Sequence, residues 1–559
     1  MRESKSGVQH VYRRSYLLRG GKKSACFLFW AILFGVSYTQ PPLYYSNQNQ
    51  YFLHGLARGG LGFLNEDWLA NTADPTPVFS ALVAFTFRYL SEPLFYVYYL
   101  LILGAYFHAL VGIFTRLSNP APTGLSRLGF IAVFVALHSA LLRWSSAQLF
   151  GVDYPWYFQA GVANQYILGA GLQPSVFGVL LVMSVCAFLH DRPFLAVTWS
   201  SLGAVMHSTY LLSAAFLTPS YFYVLCREKR VRDAFATALW ALALVSPVLV
   251  YNVLTFAPST ADQFRVAQHL LARFRLPHHA EPDRWLDGIA WAQIAWVVAA
   301  IVRVRGRRLF PILLLPFLLS LALTLVQSET DSDTLALLFP WRTSSILVPL
   351  ATTVILTSMI NRLAVYLPPP GVRLDTAVKI ACTFIVLLFV LGGAAISYFD
   401  LGYRTDEKEL NLLEFIRAHK ATGEVYLLPI EVPKLTAGRR GAASLNFTRP
   451  PRRDKQGEVI SVDLQRFRLV TGAPVYIDFK SIPYKDVEVL EWRDRVLWNQ
   501  RVYEQRDWAT PTIEAELVSR HITHVVTTTD RDVEGTALKL IYADKNYRLY
   551  LLTTSVNKD

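Results

Sequence analysis

Apolar residues recur along the first 399 positions in runs of roughly fifteen or more, which approaches or reaches the length of a membrane-crossing helix. The runs are Ser24 to Tyr38, Pro93 to Phe114, Leu128 to Leu142, Leu172 to Leu189, Phe194 to Ser208, Leu211 to Leu225, Ala234 to Phe256, Gly288 to Val302, Leu309 to Val326, Ser344 to Ile360 and Ile380 to Phe399. They predict an α-helical polytopic membrane protein of eleven spans. Val78 to Leu90 is apolar as well, but Pro77 to Leu90 as helix rises only about 21 Å against a hydrocarbon core of about 30 Å, so it is expected on the membrane surface. From Asp400 the pattern turns to mixed α/β. Strands are expected at Glu424 to Glu431, Thr471 to Phe479 and His524 to Thr529, a helix at Asp486 to Gln505, and a hairpin at Leu538 to Leu552 about Asp544-Lys545-Asn546. The expected organisation is a basic N-terminus (1–23), a transmembrane domain (24–399) and a soluble α/β domain (400–559) built as a small three-layer sandwich.

Charge orients this plan. The segment 400–559 holds 25 Lys+Arg and 24 Asp+Glu, so the chain's net +13 lies almost wholly in the membrane part. With eleven spans, twenty-one of its Lys and Arg residues fall on one side and eight on the other. Cytoplasmic loops collect positive charge, so the N-terminus is expected inside and the C-terminal domain outside the plasma membrane. The surplus therefore has a topological role, which argues against nucleic acid as a partner. Seven Lys/Arg precede the first run, and Thr39-Gln40-Pro41-Pro42 follows it without a small-residue cleavage pattern; an uncleaved first span is expected. Cys26, Cys186, Cys226 and Cys382 all lie within or beside apolar runs, which excludes a disulfide framework. Gly438 to Gly457, with its clustered arginines, lacks periodicity and is expected as a basic loop.

Three outer loops are long: 43–92, 143–171 and 257–287. The first opens with Asn47, Gln50, His54 and Arg58 at helical spacing and Phe52, Leu53 and Leu56 opposite them, an amphipathic helix suited to the interface. Glu66-Asp67-Trp68-Leu69 and Thr76-Pro77-Val78-Phe79 follow. This order resembles the GT-C superfamily of membrane glycosyltransferases, which includes protein mannosyltransferases and aminoarabinose transferases. Blocks at Asp400 to Leu410, Phe467 to Lys485, His521 to Val526 and Gly161 to Gly178 look like an uncharacterised bacterial family of such proteins. The resemblance implies transfer of a sugar from polyprenyl phosphate to an envelope glycan, lipid or protein. It also implies an acidic pair at the start of the first surface helix, where this chain has Asn47-Gln48-Asn49-Gln50; an amide cannot take a proton. The alternative is a catalytically silent relative that binds lipid-linked glycan or scaffolds a membrane complex. A transporter fits less well, because the spans carry no buried carboxylate network and no paired broken helices.

Glu66, Asp67 and Asp74 are the nearby carboxylates and the candidate catalytic bases, although Asp67 and Asp74 also stand where helix caps are wanted. Asp153 is a further carboxylate, in a turn-forming context. Arg342, Arg143 and His207 fall near outer span ends, where a lipid phosphate would sit, and Arg pairs phosphate bidentately. The competing reading of Arg143 and Arg342 is snorkelling beside Trp144 and Trp341. In the third loop Arg273, Arg275 and His278 are candidates for phosphate or substrate contact. A divalent cation held there with a loop-one carboxylate is a weaker option. Adjacent histidines diverge and the spacing matches no zinc pattern, so no metal ligand is assigned.

Overall fold

The computed structural model describes residues 23–363, 366, 372–399, 401, 407–430, 464–505, 508, 510–531, 533 and 537–553. The protein is mostly helical, and by helix length and hydropathy it is a multi-pass membrane protein. Among the described residues six helices are long and apolar enough to cross a bilayer: Leu94–Leu117, Ser208–Arg227, Val231–Thr255, Leu309–Thr330, Asp333–Leu363 and Arg373–Tyr398. Gly124–His138 and Ala140–Phe150, bent by 49°, make a seventh if taken as one broken span. Lys23–Tyr38, Pro174–Leu189, Pro193–Met206 and Gly288–Arg303 are shorter apolar helices. All eleven apolar runs are thus helical over most of their length, while six or seven satisfy the length criterion.

One expected span is broken. Leu128 to Leu142 does not run through, because Ser139 adopts an extended conformation (ψ 144°) and its side chain accepts from Leu142 N, starting a new helix. Arg143 is consequently on a helix and not in a loop. The first loop also differs from a simple surface helix. It forms two short helices, Gln48–Tyr51 and Leu53–Gly59, and then the helix Pro77–Tyr89. Phe52, Leu53 and Leu56 are buried as expected, but so are Gln48, Asn49 and His54 on the polar side. The loop is packed between other parts of the protein on both faces.

The reason lies in the C-terminal part, which sits directly on it. Four strands, β1 (Tyr426–Leu427), β2 (His524–Thr528), β3 (Leu538–Ala543) and β4 (Tyr547–Leu552), form a mixed sheet of order β1-β2-β4-β3 in which only β1 and β2 are parallel. Side-chain alternation separates its faces. Val525 and Tyr550 pack against Trp492 and Val496 of the helix Asp486–Glu504, whereas Val526 and Leu549 pack against Leu412, Leu413 and Ile416 of the helix Leu410–His419. The hairpin turn falls where expected, with Asp544 Oδ1 accepting from Asn546 N (2.7 Å) and Tyr547 N (2.8 Å).

Two expected strands shrink. Only Tyr426 and Leu427 of the first are in the sheet, and Thr471 to Phe479 contributes a single bridge from Val475 to Tyr426. The cause is local. Phe467–Thr471 is helical, Gly472 turns the chain with φ 71°, and Val475 N donates to the Asp67 carboxylate at 2.9 Å. The basic loop Gly438 to Gly457 and the first 22 residues lie outside the described residues.

Candidate anion-binding site

Two unusual turns bring the site together. Ala163 (φ 56°) and Asn164 (φ 54°) both adopt left-handed backbone, as does Phe339 (φ 49°), a conformation that costs a non-glycine residue of order 1 to 3 kcal/mol. The first turn is pinned by Val162 N donating to Ser344 Oγ (2.8 Å), and Gly161 allows the approach because a Cβ there would collide with Ser344. It presents Gln165, whose Oε1 accepts from Arg342 Nη1 at 2.5 Å, and Ala163 O, which bonds His279 Nδ1 at 2.7 Å. Phe339 opens the short turn Pro340–Thr343 that carries Arg342.

Around these turns gathers a group of cations and tyrosines. The Arg342 guanidinium lies over the Tyr210 ring (4.8 Å), Tyr210 faces His207 (5.7 Å), and His207 faces Tyr51 (5.7 Å). Tyr51 in turn neighbours Tyr484, which accepts from Gln50 Nε2 at 3.2 Å. On this far side Arg275 is buried over the Phe479 ring (5.2 Å) and donates to Lys480 O at 2.6 Å. The His278 and His279 rings lie 4.0 Å apart, His279 near both arginines and His278 near Arg275.

The electrostatics are one-sided. Among the described residues no carboxylate forms an ion pair with Arg275, Arg342 or Lys480. Arg275 Nε, Arg342 Nε, His207 Nδ1 and His278 Nδ1 are buried without a hydrogen-bond partner. Burial, with the neighbouring Arg275, pushes Lys480 down to about 7. Burial likewise lowers His279 to about 4 and His278 well below the ordinary histidine value, with the nearby cations acting in the same direction. Buried charge is costly unless paired, and these cations have no acidic partner among the described residues to offset that cost.

Of the candidates read from the sequence, Arg342, His207, Arg275 and His278 are brought together here. The others are committed elsewhere. Arg143 pairs with Asp153 at 2.8 Å, both buried, beneath Trp156. Arg273 points into an acidic group, bonding Asp333 (2.8 Å), Glu281 (3.3 Å) and Asp331. Asp67 is buried with four donors on its two oxygens: Leu69 N, Ala70 N, Val475 N and Arg468 Nε. Asp74 pairs with Arg58 at 3.0 Å and caps Thr76 N at 2.9 Å. Glu66 is exposed and accepts from Thr422 Oγ1 (2.7 Å) and Gly423 N (2.8 Å), bonds that hold its carboxyl below the usual range.

The amide stretch that replaces the acidic pair is a set of braces. Asn47 donates to Tyr166 OH, Gln48 to Leu172 O, Asn49 to Ser46 O and Gln50 to Tyr484 OH. Sequence reasoning missed Lys480, Tyr51, Tyr210, Tyr484 and Gln165. The available signal was Lys480 in Val475 to Ile482, a mostly apolar stretch that also holds Asp478 and Ser481. No group of three or more His, Cys, Asp or Glu residues suited to a metal ion occurs among the described residues.

No curated protein matches the chain. Residues 455–499 match the family model described as Domain of unknown function (DUF6798), a stretch that contains Arg468, Asp478, Lys480, Tyr484 and Asp486. The chain therefore carries a DUF6798 domain within a multi-span helical membrane protein, and that domain supplies one wall of the cationic site.

Proposed function

We propose that this is a GT-C-like plasma-membrane protein that holds the phosphate of a polyprenyl-linked sugar at its outer face. In this reading all eleven apolar helices cross, the N-terminus is cytoplasmic and the sheet-bearing part is extracytoplasmic. The grouping of loops supports that threading. Arg116 bonds Leu189 O (3.0 Å), while Arg308 reaches Glu228 (2.7 Å) and Asp191 (3.3 Å), so the basic loops share one end. Loops one and three both touch the C-terminal part: Gln50 bonds Tyr484, and Ser259 bonds Asp486 (2.6 and 2.8 Å).

The observation that carries the reading is the cluster of buried Arg275 with half-buried Arg342 and Lys480, for which no acidic partner occurs among the described residues. Of the two functional versions, binding without transfer has the stronger support, because Asp67, Asp74, Asp153 and Glu66 are each engaged by structural donors. The transferase version, moving the sugar to an envelope acceptor, needs one of them freed as a base. The test is a titration of the purified full-length chain with a short-chain prenyl-phosphate sugar, followed by assay for release of the sugar. Binding that Arg342→Ala weakens roughly ten- to hundredfold supports the phosphate site, since charge-assisted bonds contribute about 1.5 to 3 kcal/mol. Unchanged affinity removes it. Turnover that falls at least about a hundredfold in Asp67→Asn or Asp74→Asn would restore the enzyme version.

A further inference from the structure

The charge and layout of the cationic group specify the anion more closely than a single phosphate. Resting on the phosphate-binding reading above, we infer that the ligand is a diphosphate diester, a lipid and a sugar joined through two linked phosphates.

The first argument is a count. Arg275 and Arg342 are permanently charged, since a guanidinium is not deprotonated in proteins, and neither has a carboxylate partner among the described residues. Two fixed positive charges call for two negative ones. A lipid-phosphate-sugar is a phosphodiester with one charge, which would leave either buried Arg275 or half-buried Arg342 without a counter-charge, an arrangement that costs stability. A lipid-diphosphate-sugar carries two.

The second argument is spatial. The cations form two poles on separate elements. Arg342 sits on the turn Pro340–Thr343 with Tyr210 and His207, whereas Arg275 ends the helical turn Leu270–Arg275 and bonds the backbone of Lys480 in the C-terminal part. Tyr51 and His279 stand between and sense both: Tyr51 faces His207 on one side and neighbours Tyr484 and Arg275 on the other, and His279 lies beside Arg342, Arg275 and Lys480. Each pole keeps an unpartnered buried donor, Arg342 Nε on one and Arg275 Nε on the other. Two linked phosphates offer four non-bridging oxygens spread over two centres, one for each pole. A single phosphate offers two oxygens on one centre. His207 Nδ1 and His278 Nδ1, both buried without a hydrogen-bond partner, add a ring nitrogen to each pole.

The experiment compares three probes on the full-length protein in nanodiscs: a short-chain prenyl-phosphate-glucose, the corresponding prenyl-diphosphate-glucose and inorganic diphosphate. The expected result is that prenyl-diphosphate-glucose binds at least tenfold more tightly than either of the others. Arg275→Gln and Arg342→Gln should each erase most of that preference, while Arg275→Lys and Arg342→Lys, which keep the charge, should retain part of it even if the Gln variants fold poorly. Equal affinity for the two lipid probes, both weakened by Arg342→Gln, overturns the diphosphate and leaves the phosphate-binding reading standing. Inorganic diphosphate binding as tightly as the lipid form overturns the lipid-linked source. Binding of none of the three overturns the inference and the reading together.

Discussion

Asp67 Oδ2 accepts from Arg468 Nε at 2.6 Å, joining the first loop to the C-terminal part across 401 residues of sequence. Both side chains are buried, and Arg468 reaches Asp478 and Val475 O as well. A buried pair of this kind is costly to break by removing one partner, because the other is left charged in a poor solvent. Arg468→Met should therefore destabilise the protein by roughly 3 to 5 kcal/mol. Asp67→Asn should cost less, since Arg468 keeps Asp478. Thermal unfolding followed by tryptophan fluorescence checks the order; buried Trp492 and Trp508 report on this part. An Arg468→Met variant as stable as the parent would show that the clamp is not needed for docking.

Gly62 and Gly472 meet backbone to backbone beside that clamp, with φ of 53° and 71°. Phe63 N donates to Gly472 O at 2.8 Å, and a Cβ on Gly62 would run into Gly472 itself. Gly62→Ala thus combines an unfavourable backbone conformation with a clash against main chain that cannot rotate away. The expected outcome is faster cleavage by protease between the membrane part and the sheet. Gly60→Ala, at φ 91° with open space around it, is the control for conformation alone and should show the smaller effect.

These contacts explain how far the sequence could be read. Apolar runs identified helices because the bilayer imposes a length on them, and the hairpin at Asp544 was legible because its turn is made by its own side chain. Thr471 to Phe479 misled because its alternation is used otherwise: Val475 N serves Asp67, and Arg275 takes Lys480 O. The site was half legible. Arg342 and His207 stood out as ionisable groups near span ends, and Arg275 and His278 as charged or ionisable residues of the third outer loop, but their partners come from the C-terminal part and a strained turn at Ala163, neither of which leaves a periodic trace. Asp67 and Asp74 were conspicuous as acids, and the same acidity suits them to pair with Arg468 and Arg58.

Buried ion pairs and buried lone cations should respond oppositely to neutralisation. Asp153→Asn leaves Arg143 buried without its anion and should lower stability by about 3 to 5 kcal/mol. Lys480→Met and Arg275→Gln remove charges that have no acidic partner among the described residues, so the ligand-free protein should become as stable or more stable, while anion binding weakens. Unfolding temperatures measured in detergent without added phosphate decide this. A clear loss of stability in Lys480→Met would mean that the ammonium is already compensated.

Lys480 also fixes a pH dependence. Its ammonium is half-buried near Arg275, His278 and His279 and titrates near 7, well below the 10.5 of an unperturbed lysine. Between about 7 and 10.5 the unfolded chain binds a proton that the folded chain does not, so the stability of the ligand-free protein should rise with pH in that window. Below 7 both states are protonated and the full cost of the buried ammonium is present. Anion binding follows the opposite course, because the anion prefers the protonated lysine and raises its pKa. Affinity for a prenyl-phosphate probe should be greatest below pH 7 and fall as pH rises through it, by up to about tenfold per pH unit while Lys480 is the group that must be protonated. The histidines should not contribute near neutrality, since His279 titrates near 4 and His278 is lowered too. In Lys480→Met the profile should be flat between pH 6 and 8, and a slope that survives this substitution would assign the titration to another group.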